Sequence, residues 1–135
     1  MIKLYIDIDG VLITAKNPVA PLGIDYFIQF ITSNFDCYWL STHCKGDSTH
    51  CLSYLKDYLS ERSISALSHV KPTNWDSWKT EAINFEEPFF WLDDYIFSME
   101  KKILEQVGRI DSLILVDLRQ KNELSRIINI LKDVL

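Results

Sequence analysis

Asp7 and Asp9 stand two residues apart at the end of the apolar run in LYIDIDGVL (4–12), and Asp93 and Asp94 stand side by side at the end of FFWLDD. Ser41 closes a further apolar run, CYWLS (37–41). Carboxylates brought to one place repel one another and raise each other's pKa. A divalent cation relieves that repulsion, and a donor set made of oxygens alone suits Mg²⁺. An isolated Asp-x-Asp-Gly is equally at home in a plain turn, where Asp and Gly fit the backbone. The pattern becomes specific through its order: a run ending in Asp-x-Asp-Gly, a run ending in Ser-Thr, a lysine, then a run ending in Asp-Asp.

For these groups to meet, the runs that carry them must be strands of one sheet, with their carboxyl ends on one rim. KLYID (3–7), CYWLS (37–41), PFFWLDD (88–94) and SLILVD (112–117) are short and apolar throughout, as strands covered on both faces are. Helical spacing lies between them. Ile24, Phe27, Ile28, Ile31 and Phe35 share one face of a helix over 24–35, and helices are also predicted over 49–61, 75–85, 98–108 and 120–135. Residues 66–70 read as a short extended piece. The alternation predicts an α/β fold, a mainly parallel central sheet with helices on both faces, whose ligands bind at the strands' carboxyl ends. With no repeat, linker or low-complexity segment, residues 1–135 read as a single domain.

A length of 135 residues, 47% of them apolar, suits one domain with its own core. No apolar run approaches the ~18 residues that span a bilayer, and MIKLYIDIDG lacks a signal-peptide pattern. The expectation is a soluble, cytoplasmic protein with no membrane partner. The net charge of −5 speaks against broad binding to duplex nucleic acid, where phosphate contacts dominate, but leaves room for a local basic patch. Three cysteines, Cys37, Cys44 and Cys51, suggest reduced thiols rather than a disulfide framework.

YIDIDGVL resembles the first motif of the haloacid dehalogenase (HAD) superfamily of phosphatases and phosphotransferases. CYWLS resembles its second motif, a hydrophobic strand ending in Ser or Thr. Lys79 in WDSWKTEAI resembles the third, and WLDD the fourth. The motifs stand in the family's order over residues 2 to 94, and the last strand and helix fit its Rossmann-like three-layer core. WLST, WKTEAI and FFWLDD are also similar to the HAD domains associated with "Swiss Army Knife" RNA repair proteins.

The resemblance implies a Mg²⁺-dependent phosphomonoester hydrolase. Asp7 would be the nucleophile that forms an aspartyl-phosphate. Asp9 would be the general acid and then the general base, with its backbone carbonyl facing the metal. Gly10 would let the chain turn sharply beside the substrate. Ser41 would bind a phosphoryl oxygen, with Thr42 as the competing ligand. Lys79 would neutralise charge at the phosphoryl group, with Lys71 as its competitor. Asp7, Asp9, Asp93 and Asp94 would make up the metal site. An acid at Asp9 sets the chain apart from the family's dehalogenases, which lack one there, and from its ion-pumping ATPases, which carry Thr.

The intervals from Asp9 to Ser41 and from Ser41 to Lys79 are too short for a full cap domain, so the expected site is open. An open site suits a small phosphate ester or a large phosphorylated partner such as a nucleic-acid end. A non-catalytic module on the same fold is the alternative that the intact acids argue against. STHCKGDSTHC (41–51) repeats Thr-His-Cys, but His43, Cys44, His50 and Cys51 lack the spacing of a standard zinc finger or knuckle. His43, just past Ser41, is a candidate substrate contact on the rim. Trp39 and Trp91 fall in predicted strands and suit the core, whereas Trp75 and Trp78 flank Lys79 and could be accessible. The oligomeric state has no signature in the sequence.

Overall fold

The strand β1, Lys3–Ile6, lies inside a four-stranded sheet and pairs in parallel with β2, Asp36–Trp39, on one side and β3, Phe89–Asp93, on the other. A fourth strand, β4, Leu113–Leu115, adds in parallel to β3, giving the order β2-β1-β3-β4. This computed structural model describes residues 1–135. The sheet is all-parallel, and the architecture is an α/β, Rossmann-like one. The chain steps from β1 to β2, then crosses back past β1 to β3. The crevice between the carboxyl ends of β1 and β3 is therefore a topological switch point, where open α/β sheets bind ligands.

Alternate side chains of the strands feed two apolar clusters. Leu4, Ile6, Trp39, Leu92 and Ile114 pack against α1 (Ile24–Asn34), α3 (Glu61–Leu67) and α5 (Glu123–Lys132). Tyr5, Phe89 and Trp91 face the other way, against Ile83 and against Leu104 of α4 (Ser98–Gln106). Covering both faces is why the strands read as unbroken apolar runs. Trp39 and Trp91 are fully buried, as core residues. No helix is long and apolar enough to cross a membrane.

Three expected elements differ. The helix expected over 49–61 stops at Leu55 as α2, Thr49–Leu55. Ser60 then caps a new helix, α3, by accepting the Ser63 N–H, and both serines donate to Asp25 on α1. The extended piece expected at 66–70 is instead the end of α3 and its turn, and the only strand-like contact is a bridge of Lys71 to Tyr38. The helix expected over 75–85 is reduced to one 3-10 turn, Lys79–Ala82. The carboxylate of Glu81 accepts the N–H groups of Asp76, Ser77 and Trp78, so those residues wrap around a side chain instead of starting a helix.

Candidate active site

Asp7 is the first residue past β1, and its N–H still donates to Leu92 O across the ladder at 3.1 Å. Asp93 is the last residue of β3 and Asp94 the next. Parallel register thus delivers three carboxylates to one rim, with one oxygen from each lying within 4.8 Å of the others. Asp7 and Asp93 are buried, while Asp94 faces outward. Burial and the neighbouring Asp7 push Asp93 up to about 7, against the pull of Lys79. Burial and Asp93 push Asp94 up to about 6. Burial also raises Asp7 above the usual carboxylate range, with Lys79 opposing.

Lys79 opens the 3-10 turn and sends its ammonium into this cluster, 2.7 Å from Asp93 Oδ2 and 3.4 Å from Asp7 Oδ1. Burial disfavours its charge, but the two carboxylates outweigh that and raise its pKa above the ordinary value. Lys71 goes elsewhere. Its ammonium pairs with Asp36 at the opposite end of β2, 3.0 Å away.

Gly10 turns the chain with φ +82°, a left-handed conformation in which side chains are strained. A Cβ at this position would also collide with the Asp94 carboxylate, so the glycine lets β1's loop pass under the acid. Ser41 is fully buried two residues past β2, where its Oγ accepts the His43 N–H at 3.1 Å. Thr42 points outward.

Asp9 does not join the carboxylate cluster through its side chain. Its Oδ2 lies 2.9 Å from His43 Nε2, and its Oδ1 accepts the Tyr54 hydroxyl at 3.2 Å. The His43 ring stacks on Tyr54, centroids 4.3 Å apart. His43 and His50 also stack, at 5.3 Å, while Cys44 and Cys51 turn into the core, so the Thr-His-Cys repeat does not assemble a four-ligand zinc set.

Two contributors were not visible as site residues in the sequence. Tyr54 is one; it stands on α2 and donates its hydroxyl to Asp9, 45 residues away in the chain. Glu100 is the other. It is buried at the third position of α4, where it accepts the N–H of Phe97 at 3.0 Å and that of Lys79 at 2.9 Å. Its only sequence signal is a glutamate in the first turn of a helix, a common capping position. Of the two tryptophans flanking Lys79, Trp75 carries Lys45 over its ring at 3.3 Å and Trp78 meets Phe97 edge-on. Comparison with family models, with curated proteins and with solved structures gives no match to this chain.

Chemically, the rim offers a compact set of carboxylate oxygens, a half-buried ammonium between two of them, and a separate carboxyl group with its own hydrogen-bonding partners. Burial makes the three clustered acids costly to ionise together, which favours a cation among them. All the donors are hard oxygens, the chemistry that a Mg²⁺ ion takes.

Proposed function

We propose that this protein is a Mg²⁺-dependent phosphatase of the HAD type, hydrolysing a phosphomonoester through an aspartyl-phosphate on Asp7. The observation that carries the reading is the meeting of Asp7, Asp93 and Asp94 at the switch point with the Lys79 ammonium against two of them.

Asp7, Asp93 and Asp94, with the backbone carbonyl of Asp9, would hold the ion. Bound there, Mg²⁺ supplies positive charge that offsets the carboxylates and the phosphoryl oxygens. The remaining chemistry belongs to the chain. An Asp7 oxygen attacks phosphorus, the bond from phosphorus to the leaving oxygen breaks, and Asp9 gives its proton to that oxygen. Water then attacks the aspartyl-phosphate, Asp9 takes a proton back, and Asp7 leaves as a carboxylate with release of inorganic phosphate. Lys79 and the Ser41 hydroxyl serve the phosphoryl oxygens, and Gly10 keeps the loop clear of Asp94. Phosphoryl transfer asks mainly for positioning and electrostatic stabilisation, which suits so small a set of groups.

The test is phosphate release from an aryl phosphate, with Mg²⁺ and with chelator, by the wild type and by Asp7→Asn. The expected result is metal-dependent release that disappears in the variant. Release that persists in Asp7→Asn overturns the mechanism.

A further inference from the structure

A groove of about 1090 Å³ opens beside the acid cluster, with Gly10 and Asp94 in its wall. It runs between the loop that follows β1 and the segment that joins β4 to α5. Four cationic side chains line it: Lys16, Arg119, Lys121 and Arg126. Arg119 is tied to Asp117 at 2.9 Å and Arg126 to Glu123 at 2.7 Å. Lys16 and Lys121 are exposed and have no ion-pair partner. Apart from Asp94, which belongs to the acid cluster, the groove therefore carries two more positive than negative charges, on a chain whose net charge is −5.

Size and chemistry both narrow the occupant. Pockets of about 300–1,000 Å³ already hold drug-sized ligands, so a small monoester at Asp7 would leave most of this groove unused. No aromatic side chain lines it, so it offers charge to anions and no stacking platform to bases. Unpaired lysines at an open rim attract phosphates electrostatically, in a salt-dependent way.

We propose that the groove is a second-anion subsite. The substrate carries, beyond the phosphoryl group placed at Asp7, at least one further phosphate held by Lys16 and Lys121. This rests on the phosphatase reading and narrows its substrate from any phosphomonoester to a multiply phosphorylated one. A single-stranded oligonucleotide with a terminal phosphate and a small sugar bisphosphate share that chemistry.

The experiment compares the wild type with Lys16→Glu/Lys121→Glu, and with Lys16→Ala/Lys121→Ala as the milder pair. Turnover is read as kcat/KM on three probes: an aryl monophosphate, a hexose bisphosphate and a short terminally phosphorylated oligonucleotide. The charge-reversal pair is expected to lower the ratio of the multiply phosphorylated probe to the monophosphate by roughly tenfold or more, and to weaken its salt dependence. Which of the two probes responds identifies the source of the second phosphate. An unchanged ratio, whether both rates fall together or neither falls, overturns the subsite and leaves the phosphatase reading intact.

Binding of the same labelled oligonucleotide, and its competition by hexose bisphosphate, is measured in parallel on Asp7→Asn with and without the lysine changes. If no probe is turned over but binding depends on the two lysines, the groove stands as a site for phosphate anions, and the phosphatase reading falls together with the substrate role given to the groove. Absent binding, or binding indifferent to the lysines, overturns the subsite if turnover is also absent.

Discussion

The Lys79 ammonium lies 2.7 Å from the Asp93 carboxylate, in a cluster where three acids compete for one place. Removing one partner of a buried pair leaves the other uncompensated, which typically costs about 3–5 kcal/mol. The acids here have an escape, since Asp93 titrates at about 7 and takes up a proton instead. Lys79→Met is therefore expected to destabilise the protein by about 3 kcal/mol near pH 8 and by clearly less near pH 5. Urea unfolding at the two pH values checks it. An equal loss at both would mean that the lysine contributes packing rather than charge.

Gly10 takes a left-handed φ and leaves no space for a Cβ under Asp94. Gly10→Ala combines a backbone cost of about 1–2 kcal/mol with displacement of the acid above it. The expected outcome is a lower Tm together with weaker Mg²⁺ binding by calorimetry. A variant that loses stability but binds Mg²⁺ as the wild type does would separate Gly10 from the metal site.

Much of this arrangement was legible in the sequence because strand ends carry their own marks. An apolar run followed by Asp, Ser or Asp-Asp states both where a buried strand stops and which polar group it delivers. The parallel sheet and the convergence of Asp7, Asp93 and Asp94 follow from that, whereas Lys79 ends no strand and was pointed to only by the resemblance of WDSWKTEAI to a family motif. Where side chains capture backbone groups, the local pattern misleads. Glu81 takes the N–H groups of residues 76–78 and turns an expected helix into a loop with one 3-10 turn. Ser60 restarts a helix where spacing alone reads through. Tyr54 was hidden for a different reason, since Asp9 lies 45 residues away in the chain and only the fold brings the two together.

The acid cluster also sets a pH dependence. Asp93 and Asp94 titrate at about 7 and about 6 in the folded protein, against an ordinary value of 3.8. A carboxyl group raised on folding holds a proton that the unfolded chain has already lost. Its stabilising contribution is complete below pH 3.8 and is lost as pH climbs through 6 and 7. Asp117, held down at about 2 by Arg119, acts with the opposite sign, and its contribution is lost only in acid. Between about pH 5 and pH 8 the cluster therefore dominates, and metal-free protein is expected to lose Tm. Millimolar Mg²⁺ should restore more Tm near pH 8 than near pH 5, since protons compete with the ion for the same oxygens. Asp93→Asn should flatten both trends in a thermal-shift series. A Mg²⁺ effect independent of pH would place the ion elsewhere.

His43 and Tyr54 grip opposite oxygens of Asp9, at 2.9 and 3.2 Å, and stack on one another. In the proposed reaction Asp9 protonates the leaving oxygen, so its placement counts most where that oxygen departs poorly without a proton. Tyr54→Phe and His43→Gln are expected to slow an alkyl phosphate by about 10- to 100-fold, within the range of general acid catalysis, and an aryl phosphate with an acidic phenol by much less. The measurement is kcat/KM across a series of leaving groups. In the variants, the dependence of log rate on leaving-group pKa should become steeper. A uniform loss across the series would mean that the pair shapes the pocket without acting through Asp9, and no loss at all would mean that Asp9 finds its position unaided.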